Sequence, residues 1–490
     1  MGQIKKEKSY ILSKHVRVHK LVDDNYIMWN RFFPNLLKLN KDAYLAIKNI
    51  EGRKITRKSA GNLANFIDDL LRYKLLYPGD TDYYQEEFFG LVDKMVEKSQ
   101  RKATEFYEKK LAYAQLYIIN LICNLNCSYC ARKYNHYRSN RVVNVNRKKK
   151  EKLLHFVVDQ YIERRIKNNI YTITISFNGG EILLEWPLIE ALVLRNVDKY
   201  PDLKFKYFIN TNMTSMTNEI SRFISKHDFK LDISIDGYQE AHDRSRLYHN
   251  GKGSFGDIQN SLEIYNKHNE HKPITNFQGT IDNASLFSPE KVYEMKKLGF
   301  KSARLGPNLL NVCKEDALKK AEIFGKFLEL NQYNDFEVSD SFFDNIRRII
   351  RLKDYFFYFS CNGLGCLPRP GFNFDITSMT FSHICNYCPS AALPCEELDY
   401  DIYNPKLWDA SYKFIKDRAE SLKKNCSQCD LVGICKGDCI MLGLDSENKK
   451  NENACLFQKK IWEIFLNHLY LEQKEFNNNE MSGVQGQVKG

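Results

Sequence analysis

Three cysteines, Cys123, Cys127 and Cys130, stand as C-x3-C-x2-C directly after an apolar run. Thiolates are the usual ligands of iron–sulfur clusters. Three of them on a four-iron cluster leave one iron without a protein ligand. An open coordination position is what substrate activation requires, whereas a filled shell is structural. A zinc site at this place would need a fourth ligand. Downstream, Asn178-Gly179-Gly180-Glu181 follows a second apolar run. Glycines there let backbone approach a ligand closely. Asn212, Ser234 and Arg246 lie at or just beyond the ends of further apolar runs, and Tyr129 precedes the third cysteine. Each also has an ordinary reading: a turn residue, an Asp-Gly turn, a surface arginine, a core aromatic.

A second set of cysteines reads Cys426-x2-Cys429-x5-Cys435-x3-Cys439, with Cys455 following and Cys361, Cys366 and Cys385 upstream. The chain holds 14 cysteines in 490 residues. In a large protein kept in a reducing compartment, clustered cysteines bind metal more often than they form disulfides. The start, Met1-Gly-Gln-Ile-Lys-Lys, lacks the apolar stretch of a signal peptide, and Lys6 stands where a myristoylation motif wants Ser or Thr. No run of about 18 apolar residues marks a membrane span. The reading is a cytoplasmic protein with no membrane partner. The net charge of +12 fits a nucleic acid, an acidic peptide or an acidic redox protein, but no nucleic-acid-binding motif stands out. The basic run Arg147 to Lys152 reads as a solvated helix start.

The elements that must position these residues alternate. Strands are expected at Leu116–Leu121, Tyr171–Phe177, Lys204–Ile209, Leu231–Ile235, Ile274–Thr280 and Ser302–Leu305. Helical patterns fill 150–168, 187–198, 216–226, 255–268 and 287–298. Such β-α repetition implies a parallel sheet, doubly wound or a partial barrel, and barrel sites sit at the C-terminal strand ends. The chemistry-bearing residues fall there. Ahead lie strand-like pieces at Lys14–Leu21, Tyr26–Phe33 and Asn35–Leu39, then helices at Asp42–Ile50 and Asn62–Leu75. The Cys-rich region shows little periodicity until a helix at Leu456–Tyr470. Cys313 reads as a buried apolar residue.

Cys123, Cys127 and Cys130 after the first strand resemble the cluster motif of the radical S-adenosylmethionine (SAM) superfamily. The resemblance implies a partial (β/α)6 barrel, and an open iron that chelates the SAM amino and carboxylate groups. It also implies reductive cleavage to a 5′-deoxyadenosyl radical, with Cys123, Cys127 and Cys130 as the catalytic cluster ligands. Gly179, Gly180 and Glu181 look like the superfamily's GGE motif, with Glu181 accepting from the methionine ammonium; Ile182 replaces the usual proline and should alter the local turn. Ser234 and Arg246 look like the pair that holds the SAM carboxylate in peptide-modifying relatives. Tyr129 fits a place beside the adenine, and Asn212 a polar SAM contact.

The later cysteines resemble the SPASM extension, which binds auxiliary [4Fe–4S] clusters. The resemblance assigns Cys361, Cys366, Cys385 and Cys439 to one cluster and Cys426, Cys429, Cys435 and Cys455 to another, giving three clusters in all. Cys388 and Cys395 are possible substitutes, because Thr380 replaces the glycine usual before the last upstream cysteine. Two zinc knuckles are the competing reading. The first hundred residues resemble the winged-helix-like precursor-recognition module of ribosomal peptide maturases, in which a leader peptide adds as an edge strand. The expected organisation is a recognition module with linker helix over 1–105 and the barrel over 106–320. Bridging helices over 321–354, the SPASM domain over 355–474 and a disordered tail over 475–490 follow. The module is expected to be separable, its removal sparing SAM cleavage.

The resulting reading is an oxidoreductase of the sactipeptide–ranthipeptide type. It would crosslink a precursor peptide through a thioether or a carbon–carbon bond, with flavodoxin or ferredoxin as electron donor. The alternative is an anaerobic sulfatase-maturating enzyme making formylglycine, against which Asn386 stands where those enzymes carry an acid. A catalytically silent peptide-binding or electron-carrying protein is the reading of a different class.

Overall fold

The computed structural model describes residues 8–21, 23–101, 115–130, 145–309, 312–339, 371–382, 392–435 and 451–476, together with Phe343, Ile346 and Arg347. The N-terminal part runs β1 (Ser9–Leu12), β2 (Val16–Lys20), β3 (Tyr26–Asn30), β4 (Leu37–Leu39), α1 (Lys41–Lys48), β5 (Ile55–Thr56), α2 (Ile67–Arg72), β6 (Leu76–Pro78) and α3 (Tyr84–Arg101). β2, β3 and β4 form an antiparallel meander, and β1 pairs with both β5 and β6. Asn40 caps α1 by accepting from Ala43 N at 2.8 Å, satisfying an otherwise orphaned donor. Met28, Leu39, Ile47, Ile67, Leu70 and Leu76 close a small core around these elements. The expected strands and helices are present but shorter. β1, β5 and β6 were not expected: runs of two to four residues carry no period of their own and exist by pairing.

The central part alternates as read. It contains β7 (Gln115–Asn120), α4 (Arg147–Lys167), β8 (Thr172–Gly179), α5 (Trp186–Lys199), β9 (Lys204–Thr211), α6 (Asn218–Lys226) and β10 (Lys230–Ser234). α7 (Gln239–Ser245), α8 (Phe255–His268), β11 (Asn276–Ile281), α9 (Pro289–Val292), β12 (Ser302–Pro307), α10 (Lys314–Asn331) and β13 (Glu337–Ser339) follow. The expected helix at 287–298 divides into α9 and a 3-10 helix over Tyr293–Leu298, stopped by Gly299 at φ 88°. β7 to β12 lie side by side in chain order, all parallel. This is the six-stranded β/α arrangement expected of a partial barrel.

Both edges of that sheet are longer than the sequence reading allowed. β13 joins β12 in parallel, where bridging helices were expected, and α10 crosses position 320. On the other edge, β14 (Gly371–Asp375) runs parallel to β7, followed by antiparallel β15 (Thr380–Ser382) and β16 (Leu393–Pro394). Part of the Cys-rich region, from β14 to β16, therefore lies within the barrel sheet. Phe336 and Val338, and Phe372 and Phe374, are buried at alternate positions, the period of a half-covered strand.

The faces of the sheet differ. Ile118, Ile175, Phe177, Tyr207, Ile209, Ile233 and Leu305 are at most 1% exposed and pack under the helices. Their alternates, among them Asn178, Asn210, Ser234, Gln278 and Arg304, are half-buried or exposed. Parallel strands covered on both faces read as continuous apolar runs, so this alternation marks a sheet covered by helices on one face and open and polar on the other, inner face.

The C-terminal part has α11 (Pro405–Cys426), α12 (Val432–Cys435) and α13 (Glu452–Phe476). α13 contains the expected helix. α11 was missed, although Leu407, Ser411, Ile415, Ala419, Leu422 and Cys426 recur at helical spacing and are buried. α11 packs on α3, a junction the sequence reading did not expect. Phe32, Phe33, Tyr84, Phe88 and Val92 share one core with Ile415, Ala419, Leu422, Cys426 and Val432. Gly433 N donates to Arg31 O at 2.9 Å, Lys423 pairs with Asp93 at 2.6 Å, and Trp29 meets Trp462 edge-on at 5.6 Å.

Candidate active site

The loop after β7 carries Cys123, Cys127 and Cys130, and backbone bonds fix it whatever the thiols hold. Asn126 N donates to Leu247 O at 2.7 Å and Ser128 N to Ser245 O at 3.0 Å. Leu125 forms a bridge with Tyr248. Ser128 Oγ and Asn308 Nδ2 both reach the carboxylate of Asp282, beyond β11. Cys123 Sγ accepts from Leu125 N at 3.4 Å and from Asn212 Nδ2 at 3.7 Å, contacts that suit a thiolate. Burial pushes the Cys127 thiol up to about 11, against the pull of Arg246. Binding iron there releases a proton.

Gly179 ends β8 at φ 122°, and a Cβ on it would lie 2.1 Å from Asn120 O. Only glycine lets β7 and β8 close here, and Gly180 N donates to that same oxygen. Gly179→Ala is expected to cost about 2–3 kcal/mol in strain and to lower SAM affinity at least as much. Thermal melts and equilibrium dialysis with SAM check this; a variant with an unchanged melt and affinity would contradict the close approach.

Glu181 is fully buried. Its carboxylate accepts from Leu183 N at 2.9 Å, Thr211 Oγ1 at 2.8 Å and Asn212 N at 2.7 Å. Resemblance gave this carboxylate to the SAM ammonium; in the structure it ties β8 to the end of β9 and so aims Asn212 at Cys123. Ile182, in place of proline, opens a 3-10 helix over Ile182–Glu185 that Glu181 caps. Burial raises the Glu181 pKa to about 6, against three lowering hydrogen bonds. With the folded value above the ordinary one, the native state binds the extra proton between pH 4.5 and 6. This group's contribution to stability therefore falls by about 2 kcal/mol as pH rises through that window. Urea unfolding of wild type and Glu181→Gln at the two ends should show it as a pH-dependent difference between them; a constant difference would refute it.

Beyond β10, Arg246 Nε pairs with Asp236 Oδ1 at 2.9 Å, and Tyr129 donates its phenol to Asp236 Oδ2. The Arg246 guanidinium lies 5.6 Å from the Tyr129 ring centre, and Thr280 N donates to Asp236 Oδ1 at 2.8 Å. Burial works against the Arg246 charge, but Asp236 outweighs it and holds the pKa above the ordinary value. His242, which accepts from Asp236 N at 3.3 Å and meets Ser254 Oγ at 2.9 Å, is pushed down to about 3 by burial and by Arg246. It is neutral and structural. Ser234 is half-buried and donates to Asn210 Oδ1 at 3.3 Å. Tyr129 and Arg246 are thus brought together through Asp236. Sequence reading passed over this residue because Asp-Gly reads as a turn; its position at the end of β10 was the available signal.

Cys361, Cys366, Cys385, Cys388 and Cys439 lie outside the described residues. Cys426 ends α11, Cys429 N donates to Cys426 O at 2.9 Å, Cys435 ends α12 and Cys455 lies in the first turn of α13. Among the described residues no three His, Cys, Asp or Glu side chains converge on a single metal ion. Cys395 is buried in the main core, where desolvation raises its pKa far above the usual thiol value; it is a poor thiolate ligand. Cys313 is exposed rather than buried. Its sulfur accepts from Asp316 N at 3.5 Å and caps α10.

A partial β/α barrel with three cysteines at the end of its first strand, and ordered polar groups at the next four, is the architecture of an enzyme that uses an iron–sulfur cluster. The radical SAM superfamily model matches residues 117–277, so the chain carries a radical SAM domain. A cysteine-type anaerobic sulfatase-maturating enzyme of Clostridium novyi is 30% identical over 190 residues, 38% of this chain and 48% of that relative. The chain thus matches about half the length of that protein. The radical SAM cyclopropyl synthase TigE of Paramaledivibacter caminithermalis is 22% identical over 458 residues, 88% of this chain and 89% of TigE. The solved structure of native anSMEcpe with bound AdoMet shares the fold at TM-score 0.55 and 20% identity, over 74% of this chain and 100% of that one. The superfamily implies a [4Fe–4S] cluster and SAM, and the donors around Cys123 fit a thiolate ligand. Among the described residues no helix is long and apolar enough to cross a membrane.

Proposed function

We propose that this protein is a peptide maturase that closes a crosslink, thioether or carbon–carbon, within a ribosomally made precursor. The observation that carries the reading is the reach of the TigE match, 88% of this chain, which extends well beyond the barrel. The open polar inner face beneath the cysteine loop suits an extended peptide. The meander β2-β3-β4 offers edge strands on which a leader could add. TigE's own activity favours the carbon–carbon bond as the second reading.

When bound and reduced, the cluster supplies the electron that cleaves SAM to methionine and a 5′-deoxyadenosyl radical. Cys123, Cys127 and Cys130 would hold it; Asn212 donates toward Cys123, and Gly179 and Gly180 would let backbone approach the ligand closely. Asp236 aims Arg246 for the SAM carboxylate, with Ser234 beside it and Tyr129 fixing the pair. Crosslinking would remove two hydrogens from the substrate, one as a hydrogen atom and one as a proton and an electron, as one bond forms between the two partner atoms. Two auxiliary clusters on the later cysteines would take that electron, and flavodoxin or ferredoxin would supply the first. Sulfatase maturation is the competing enzyme reading.

The test incubates reconstituted enzyme, SAM and dithionite with any short peptide found encoded beside its gene, followed by mass spectrometry. Loss of two hydrogens per modification, located by fragmentation to a bridged pair, supports the reading. Formylglycine at a single Cys or Ser would replace it with the sulfatase-type activity.

A further inference from the structure

We infer that Arg304 is a specificity-determining residue, receiving a carboxylate of the substrate on the inner face of the barrel. The inference rests on the peptide reading above and names a chemical feature of the peptide. Arg304 lies in β12 between Ala303 and Leu305, each 1% exposed against the helices. Strand alternation therefore directs its side chain to the opposite, inner face. The register sets Arg304 beside Gln278 of β11, and Gln278 beside Ser234 of β10. Arg304 thus stands two strand spacings, roughly 9–10 Å, from a residue proposed to hold SAM. That is the scale of a reacting group and its nearest anchor.

Arg304 is exposed, and it makes no hydrogen bond or ion pair among the described residues. Arg246 by contrast is committed to Asp236. Space is present as well: Gly306, two residues on and facing the same way, would meet nothing within 4 Å if given a Cβ. Glu337 of β13, the nearest inner-face charge by register, makes no ion pair with it among the described residues. A guanidinium presents a planar fork that matches a carboxylate by two parallel hydrogen bonds. An uncommitted fork on an exposed strand position contributes nothing evident to folding. The carboxylate could be an Asp or Glu side chain or the peptide's C-terminus.

The test selects binders from displayed random dodecapeptides on the SAM-loaded, anaerobically reconstituted enzyme, with one library ending in a free acid and one in an amide. Wild type should enrich Asp or Glu at one position over Asn or Gln roughly tenfold or more, as charge-assisted bonds allow. Enrichment of free acids over amides, with no side-chain preference, would assign the carboxylate to the C-terminus. Arg304→Gln should erase the preference and Arg304→Glu should turn it to Lys or Arg. Binders with the same preferences in all three proteins would overturn the role of Arg304 and leave the peptide reading standing. Failure of every protein to select any peptide would overturn both.

Discussion

Replacing Cys123, Cys127 and Cys130 together with alanine abolishes SAM cleavage and removes about four irons per chain, the content of one cubane. The fold survives the change. The loop holding these residues is pinned by Asn126 N to Leu247 O and Ser128 N to Ser245 O, and none of those bonds uses a thiol. The loss therefore reads the cluster and not collapse of the barrel. With three clusters, iron should fall from about twelve to about eight; with one, from about four to none. Iron and sulfide assays after anaerobic reconstitution, beside chromatography of 5′-deoxyadenosine, separate the two. Residual cleavage in the triple variant would remove these cysteines from the chemistry. Zinc in place of the second and third clusters would remove the SPASM reading while leaving the barrel site intact.

Gly433→Ala unseats the N-terminal module. A Cβ at Gly433 would lie 2.3 Å from Phe32 O and 2.8 Å from Arg31 O, and neither backbone oxygen can step aside without breaking the Gly433–Arg31 bond. The core of Phe32, Phe33, Phe88, Ile415 and Leu422 would open with it, a loss of about 3–5 kcal/mol on the scale of truncating one buried aromatic. Limited proteolysis should then release the first hundred residues, and the melting transition should split or fall. Gly256→Ala is the control: its Cβ meets nothing within 4 Å, and in the helix α8 alanine is favoured by about 1 kcal/mol. Equal behaviour of the two variants would refute the tight junction. Deleting residues 1–105 outright would expose the same apolar face, so truncated protein is expected to aggregate before its chemistry can be measured.

Much of this was legible in the chain. Five of the six barrel strands begin within one residue of their expected positions, because apolar runs between helical periods leave little choice. Cys123, Cys127 and Cys130 were singled out by their spacing after a strand, and Gly179 and Glu181 by resemblance to a motif at the next strand end. Asp236 and Thr211 were not, since their roles exist only once β10 and β9 bring them to Arg246 and Glu181. α11 hid behind the cysteines that follow it. The sheet's extra edges hid in short alternating stretches around Phe336 and Phe372. The junction with the N-terminal module was not legible either: nothing local in Phe32 or Phe33 says that their partners lie nearly 400 residues away on α11.

That junction also governs how such enzymes can be recombined. Arg31 and Phe32 contact Gly433 backbone to backbone, and Arg17 pairs with Asp430 at 2.5 Å, within the Cys429–Cys435 segment. A chimera that exchanges only the N-terminal module would place a foreign turn against this corner, where one added methyl is already too much. The transplantable block is the module through α3 together with α11 and α12, and the barrel from β7 to β13 is the piece that can stay behind.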